Sequence, residues 1–155
     1  MKIRLAALLA CMALSAPLAA QQFDTISFGV DGGYPPFDVL APSGEITGFD
    51  IDIANALCTQ LKAKCVFVKQ PFESMIAALN AHKFDAIIAS LNITDERKKE
   101  VDFTDRYYRS AAQLVARKGS PLLPDADSLK GKTVGVQTGS THEAFAKANW
   151  ANHGV

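Results

Sequence analysis

The sequence predicts an α/β fold in which a mostly parallel sheet is covered by helices on both faces. Two observations lead to this prediction. Short apolar runs typical of buried strands alternate with segments of helical periodicity, and polar residues follow directly after the apolar runs. Parallel strands need crossover connections, which are usually helices, so this alternation favours βαβ units.

The first predicted elements are a strand, a helix and a second strand. The apolar run ISFGV (26–30) predicts a buried strand that ends in a polar, glycine-rich loop. A helix is predicted next, because Ile53, Leu57 and Leu61 recur at intervals of four. The apolar residues 65–68 then predict the second strand.

A second helix and a third strand are predicted to follow. Pro71 suits the first position of a helix, and the apolar residues after it lie at i, i+3, i+4 and i+7. These residues are Phe72, Met75, Ile76 and Leu79. The run FDAIIASL (84–91), apolar apart from Asp85 and Ser90, predicts a buried strand.

The second part of the chain begins after a polar and aromatic stretch at residues 103–109. Residues 111–116 suit an extended segment, and residues 128–131 suit a short helical turn. The apolar residues 133–136 predict another buried strand.

Ser140 opens the last predicted helix, which runs from Thr141 to about Trp150. With Glu143 it forms the pattern S-x-x-E of a capping box. Ser140 and His142 also suggest the nucleophile and base of a hydrolase. Their side chains point apart on a helix, however, and the pattern Gly-x-Ser-x-Gly is missing. A phosphate loop is not indicated either, since no Gly-Lys-Ser/Thr follows the nearby glycines.

Residues 1–20 have the form of a secretory signal peptide. A short basic start precedes an apolar run, and small residues suit cleavage after Ala20. One alternative is a membrane anchor, but the run is too short to span about 30 Å of hydrocarbon. Another is lipoprotein processing at Cys11. We expect a cleaved signal peptide and export to the periplasm.

The net charge of the chain excludes binding classes that depend on a basic face. The whole chain has 16 Lys+Arg and 16 Asp+Glu, and without residues 1–20 it has 14 cations against 16 anions, a net charge of −2. Nucleic acids and anionic lipids are captured by concentrated positive charge. We therefore expect no nucleic-acid partner.

Export also bears on the cysteines, because exported proteins meet an oxidising environment. Loss of the signal peptide removes Cys11 and leaves Cys58 and Cys65, which we expect to be bonded to each other. The alternative is a pair of metal ligands, but the three histidines show no paired spacing that would complete a zinc site. We expect neither a metal nor another cofactor.

Polar residues beyond the strand ends are the candidate site residues, since ligands bind there in open α/β sheets. They are Asp31, Tyr34, Ser90, Asn92, Arg97, Ser140 and Thr141. Arg97 can grip a carboxylate through two parallel hydrogen bonds, and Asp31 can take an ammonium or a guanidinium. The rings of Tyr34 and Phe72 can cover an aliphatic stem. These residues indicate a site for a small zwitterion.

Each of these residues also has a simpler interpretation. Arg97 lies in the charged stretch DERKKE and suits a solvated helix surface. Phe72 suits the core, Ser140 suits a helix cap, and Asp31 before two glycines suits a turn. The residues by themselves leave both interpretations open.

Five short motifs follow one another along the chain. They are Asp31-x-x-Tyr34-x-Pro36-Phe37, Gly48-Phe49-Asp50-Ile51-Asp52-Ile53, Phe84-Asp85-Ala86-Ile87, Ile93-Thr94-x-x-Arg97, and Gly131-Lys132-x-Val134-Gly135-Val136 with Gly139-Ser140-Thr141. Together they resemble the bacterial extracellular solute-binding proteins of the polar amino acid type. The most similar branch is that of the lysine/arginine/ornithine and histidine binders, because Cys58 and Cys65 stand where that branch has its disulfide.

The resemblance implies a role for each site residue. Arg97 would bind the α-carboxylate of the ligand, and Asp31 would lie near a cationic side chain. Tyr34 and Phe72 would stack on the stem of that side chain. The remaining contacts would come from Ser90, Asn92, Ser140, Thr141 and His142. Departures from the pattern of the basic-residue binders, which bear on specificity, are Ala89, Asn92, Gln137 and His142.

The resemblance also implies a periplasmic binding protein-like fold with two lobes, each a mostly parallel sheet with helices on both faces. We expect the signal peptide at 1–20, the first lobe at 21–108 and the start of the second lobe at 109–155. The completion of both lobes would be absent, so we expect an N-terminal fragment of a longer protein.

The function implied by the resemblance is that of a monomeric periplasmic binding component of an ABC-type importer for a basic amino acid. It would not be an enzyme, and it would present its amino acid ligand to a membrane permease. One alternative is a periplasmic cyclohexadienyl (prephenate/arogenate) dehydratase on the same fold, with Asp31, His142 and Glu143 as candidate acid/base groups. Another is a sensor domain that serves a histidine kinase.

Overall fold

The computed structural model describes residues 23–155, so the predicted signal peptide lies outside the described residues. The strands are β1 (Thr25–Val30), β2 (Gly33–Tyr34), β3 (Asp38–Leu40), β4 (Ile46–Thr47), β5 (Lys64–Lys69) and β6 (Ala86–Ile87). The α-helices are α1 (Phe49–Leu61), α2 (Met75–Asn80), α3 (Ala126–Leu129) and α4 (Thr141–Asn149). Single 3₁₀ turns cover Phe72–Ser74, Arg97–Lys99 and Ala151–His153.

The main sheet has three parallel strands in the order β5-β1-β6, in agreement with the predicted parallel sheet. The central strand β1 pairs with β5 along its whole length, from Thr25 opposite Lys64 to Val30 opposite Lys69. The third strand is much shorter than the predicted 84–91. Extended backbone is lost soon after β6, where Ser90 takes a left-handed conformation with φ of 51°.

A second, antiparallel sheet of β2, β3 and β4 follows β1 and precedes α1. The sequence does not predict it, because strands of two or three residues are too short to show a period of two. Its position matters for function, since β2 and β3 carry the loop that begins at Asp31.

Helix α1 covers one face of the main sheet. Ile51, Ala54 and Cys58 are buried there, together with Phe28 and Val30 of β1. The row formed by Leu57 and Leu61 faces away from the core and is about half exposed, at 49% and 53%. The predicted helix is confirmed, but a different row of side chains faces the sheet.

The other face of the sheet is covered by α2. Successive residues of a strand face opposite sides, so Gly29 faces away from α1, between Phe28 and Val30. A Cβ at Gly29 would lie only 2.5 Å from Cζ of Phe84, which shows how closely that ring packs on the strand. Phe84 belongs to a second core cluster with Met75, Ala78 and Ala89. The prediction of helices on both faces holds for this sheet.

A disulfide joins Cys58 of α1 to Cys65 of β5, as the sequence predicts. The chain between them reverses at Lys62, whose φ of 56° ends the helix in a left-handed turn. The metal-pair alternative for these two cysteines is therefore wrong.

The second part of the chain is helical where it is regular. The short helical turn predicted near 128–131 is formed by α3, and α4 covers the predicted final helix. The strand predicted at 133–136 is not formed, since no other segment within residues 23–155 lies beside it to complete a ladder. None of the helices in that range is long and apolar enough to cross a membrane.

Candidate functional site

The candidate site lies beyond the carboxyl ends of neighbouring parallel strands. Asp31 follows β1 directly, while Ser90 and Asn92 follow β6, which pairs with β1. Carboxyl ends of adjacent parallel strands meet at one edge of a sheet, so these residues share that edge. Residues of the second part of the chain form hydrogen bonds with two of these side chains, Asp31 and Asn92.

Arg97 is held in place by four contacts. Its backbone N–H donates to Oγ1 of Thr94 at 3.2 Å, which fixes the 3₁₀ turn in which it lies. Nη1 donates to the carbonyl oxygen of Asn92 at 2.7 Å, and Nη2 donates to that of Gly139 at 2.9 Å. The guanidinium carbon lies 5.7 Å from the centre of the Phe72 ring. Partial burial lowers the Arg97 pKa from its ordinary value, but the group stays cationic. It is therefore a fixed cation and not a freely solvated one.

The start of α4 forms the opposite side of the site. The buried Ser140 caps this helix, because its Oγ accepts the N–H of Glu143 at 3.1 Å. Oε2 of Glu143 accepts the N–H of Gly139 at 2.7 Å. In a capping box this return bond usually comes from the N–H of the cap residue, here Ser140, so the return bond is shifted by one residue. Thr141 Oγ1 accepts a hydrogen bond from Nδ2 of Asn92 at 3.2 Å. His142, in the first turn of α4, is exposed.

Asp31 and Tyr34 lie at the other end of the site. Oδ2 of Asp31 accepts a hydrogen bond from Nε2 of Gln137 at 3.2 Å. The Tyr34 ring stacks on Phe37 with centroids 5.1 Å apart, and Phe37 in turn stacks on Tyr108 at 4.9 Å. This row of rings gives the site an apolar wall.

Ser90 is directed towards a buried carboxylate. Its Oγ donates to Oδ2 of Asp50 at 2.8 Å, and the Tyr107 hydroxyl donates to Oδ1 of the same residue at 3.1 Å. Asp50 is fully buried at the start of α1. Burial and the negative charge of Asp50 raise the pKa of Tyr107 far above its ordinary value of 10. The Tyr107 hydroxyl is thus neutral at physiological pH and is a stable donor.

Asp38 is a buried acid that sequence reasoning missed. Its side chain is 1% exposed, and Oδ1 accepts the backbone N–H of Tyr34 at 3.1 Å. Burial raises its pKa, and the negative charges of Asp31 and Asp50 act in the same direction. In the sequence it follows Pro36-Phe37 and resembles an ordinary turn residue. The one available signal was its position between the hydrophobic residues of a short strand.

The site is electrically polarised. The guanidinium of Arg97 lies at one end and Asp31 at the other, where the negative charges of Asp31 and Asp50 act on the buried carboxyl group of Asp38 and raise its pKa. Within the described residues no cation pairs with those three carboxylates. A zwitterion whose side chain carries a positive charge matches this distribution of charge.

The described residues offer little support for catalysis or metal binding at this site. The hydroxyl of Ser140 is used by the helix cap, where its partner is Glu143 and not His142. No group of three or more His, Cys, Asp or Glu side chains within residues 23–155 is arranged to hold a metal ion.

A surface groove of about 380 Å³ lies elsewhere, between β4, α1 and β5. Its lining includes Glu45, Asp52 and Phe67, and none of the predicted site residues. The polar cleft described above is the better candidate, because it places oppositely charged groups of the first part of the chain beside polar groups of the second part.

Fold and site together define an α/β protein with a polar cleft at the carboxyl ends of its parallel strands. The comparison with known families makes this specific. The chain belongs to the bacterial extracellular solute-binding proteins, family 3, which it matches over residues 26–151.

Known proteins similar to this chain agree with that assignment. The lysine/arginine/ornithine-binding periplasmic protein of Escherichia coli (strain K12) is 46% identical over 132 residues, which are 85% of this chain and 51% of that protein. An ancestral arginine-binding protein bound to arginine is similar in structure, with a TM-score of 0.81 at 39% identity over 87% of this chain and 60% of that chain.

A third similar protein bears on the dehydratase alternative. It is the ancestral amino acid-binding protein AncCDT-1, a precursor of cyclohexadienyl dehydratase, with a TM-score of 0.73 at 40% identity over 81% of this chain and 56% of that chain. The chain spans about half the length of the curated relatives it matches.

Proposed function

We propose that this chain is part of a periplasmic substrate-binding protein that serves an ABC-type importer and binds a basic amino acid. The observation that carries the proposal is the polarised cleft, with the fixed guanidinium of Arg97 at one end and Asp31, among buried carboxylates, at the other. Relatives named as binding proteins for lysine, arginine, ornithine and histidine support the same ligand class.

Arg97 suits the α-carboxylate of the ligand. Its stacking on Phe72 and its bond to the Asn92 carbonyl hold the guanidinium plane, so a carboxylate can meet two N–H groups without further ordering of the side chain. The carbonyl of Gly139 occupies one of these N–H groups. A ligand carboxylate, which carries a full charge, is the stronger acceptor and would replace it.

Asp31 suits the cationic side chain, with Tyr34 and Phe72 against its aliphatic stem. The residues that would complete the site are Ser90, Asn92, Ser140, Thr141 and His142. Ser90 would act through its bond to Asp50, which leaves its backbone at the edge of the site. Asn92 and Thr141, already bonded to each other, would line the site from its two sides.

The wider context of the proposal follows the family. Residues 1–20 would be a cleaved signal peptide, 21–108 the main part of one lobe and 109–155 the start of the other. The protein would act as a monomer in the periplasm and deliver its ligand to a membrane permease. It would need no cofactor.

The alternative of a cyclohexadienyl dehydratase receives weaker support. The similar ancestral precursor of that enzyme is itself an amino acid-binding protein by name. The curated relatives are named as binding proteins as well, which supports a protein without enzymatic activity. Assaying prephenate and arogenate turnover on the sample used for binding separates the two functions.

The test of the proposal is titration calorimetry with six amino acids: lysine, arginine, ornithine, histidine, glutamine and glutamate. We expect a clear preference for the cationic ones. Asp31→Asn should remove that preference, whereas Asp127→Asn, a matched change at an exposed residue of α3, should leave it unchanged. A preference for glutamate would contradict the proposal.

A further inference from the structure

Gln137 reaches across the cleft to the carboxylate that we assign to the ligand's cation. Its Nε2 lies 3.2 Å from Oδ2 of Asp31, although the two residues are 106 positions apart in the sequence. Gln137 contributes no hydrophobic packing to either core cluster, and its side chain is exposed. Its contact with Asp31 therefore belongs to the cleft and not to the core of the fold.

The backbone of Gln137 is held in a defined position. Its carbonyl oxygen accepts the N–H of Ser140 at 3.2 Å, which closes the turn that leads into α4. The next residues of that turn are tied to the first part of the chain by the bond from Arg97 to the Gly139 carbonyl. Gly139 also packs tightly, since a Cβ there would lie 3.0 Å from Cα of Glu73. The amide of Gln137 is thus presented to Asp31 from a fixed turn.

The chemistry of this amide favours one kind of head group. Its NH₂ group donates to Asp31, which leaves Oε1 as a free acceptor beside the carboxylate. A guanidinium is planar and has five N–H donors, so one edge can bind the carboxylate while a further N–H donates to the amide oxygen. An ammonium is a compact charge with three donors and gains most of its attraction from the carboxylate alone.

We propose that Gln137 is a specificity-determining residue that favours a guanidinium over an ammonium ligand. The inference rests on the proposed function and deepens it, since it selects arginine-like ligands from the basic amino acids. Asp31 supplies the charge that attracts both kinds of cation, and Gln137 supplies the geometry that distinguishes them.

The experiment compares the full chain with its Gln137→Met variant, which keeps the length of the side chain and removes both polar atoms. Arginine and lysine are titrated separately and followed by heteronuclear NMR shifts, which yield dissociation constants from micromolar to millimolar. Gln60→Met, at an exposed position of α1, is the matched control. Because Gln137 is exposed and lies outside the core, the variant should fold, and its NMR spectrum checks this directly.

We expect Gln137→Met to lower the ratio of arginine affinity to lysine affinity by about tenfold, the effect of one hydrogen bond to a charged group. The Gln60→Met ratio should equal that of the wild type. If the wild type binds basic amino acids, and Gln137→Met weakens the binding of arginine and lysine equally or leaves both unchanged, the role of Gln137 is refuted and the proposed function stands. If the wild type binds neither arginine nor lysine, the proposed function itself fails, and this inference fails with it.

Discussion

Replacement of Tyr107 by Phe removes one of the two hydrogen bonds to the buried carboxylate of Asp50. The hydroxyl of Tyr107 lies 3.1 Å from Oδ1 of Asp50, and the hydroxyl of Ser90 serves the other oxygen. The Phe variant keeps the ring, which stacks on Phe49 with centroids 6.3 Å apart. The perturbation therefore isolates the hydrogen bond from the aromatic packing.

We expect Tyr107→Phe to lower the free energy of unfolding by about 1.5 kcal/mol. Hydrogen bonds to charged groups contribute roughly 1.5–3 kcal/mol, and a buried acceptor left without a donor costs about as much. Tyr107 is 41% exposed, so the donor side of this hydrogen bond lies near the surface and the lower end of the range applies. At 1.4 kcal/mol per tenfold, the ratio of folded to unfolded protein should fall by about a factor of ten.

The effect should also depend on pH. Burial and the charge of Asp50 raise the Tyr107 pKa in the folded state above that of an unfolded chain, which is about 10. Above that pH the folded state binds more protons than the unfolded state, so this contribution to stability falls as pH rises. The difference between wild type and Tyr107→Phe should be constant below about pH 9 and should shrink above about pH 10.

Urea unfolding followed by circular dichroism measures both effects in a series from pH 7 to pH 11. Tyr34→Phe is the matched control, because the Tyr34 hydroxyl donates to no side chain or carbonyl within residues 23–155. If Tyr107→Phe is as stable as Tyr34→Phe at pH 7, the hydroxyl does not support Asp50 and the reasoning is refuted.

Three further predictions concern the ligand, the disulfide and acid stability. Arg97→Ala should weaken binding of the amino acid by about 3 kcal/mol, because the ligand carboxylate loses its charged partner. Calorimetry measures the dissociation constant, and an unchanged value would mean that Arg97 is only a surface charge. Reduction of the bond between Cys58 and Cys65 should lower the free energy of unfolding by about 2.5 kcal/mol on the chain-entropy model, and thiol counting on unreduced, denatured protein should find no free thiol in the mature chain. Hydrogen bonds from Ser27 hold the Asp85 pKa below its ordinary 3.8, so they contribute to stability above about pH 4 and this contribution is lost as pH falls. Asp85→Asn should therefore reduce the loss of stability in acid. Identical acid unfolding of this variant and the wild type would contradict the last of these.

Local sequence signals predicted the elements that depend on neighbours in the chain. The run ISFGV gave β1 because five consecutive apolar or small residues suit a central strand. The S-x-x-E pattern at Ser140 and Glu143 gave the start of α4 because both partners of the cap lie within one turn. The disulfide followed from the count of cysteines in a chain predicted to be exported.

Features that depend on distant residues could not be predicted in this way. Residues 133–136 have the composition of a strand, but a strand also needs a partner to share its hydrogen bonds. The spacing of Leu57 and Leu61 shows a helix without showing which row of side chains faces the sheet. The contacts of the site are equally distant, since Asp31 and Gln137 meet across 106 positions.

The segment between Val101 and Ser120 connects the two parts of the described chain without regular secondary structure. Within its first half, the rings of Tyr107 and Tyr108 stack on those of Phe49 and Phe37, respectively. These two aromatic contacts join the connecting segment to the first part of the chain.

Three hydrogen bonds join the later part of the chain to the first part. They run from Arg97 to Gly139, from Asn92 to Thr141 and from Gln137 to Asp31. All three hydrogen bonds are exposed to solvent; the two that include a charged group contribute roughly 1.5–3 kcal/mol each, and the neutral one contributes about 0.5–1.5 kcal/mol. Arg97 and Asp31, which these hydrogen bonds engage, are also the groups that the proposed zwitterionic ligand would engage, so ligand binding would exchange contacts between the two parts of the chain for contacts with the ligand.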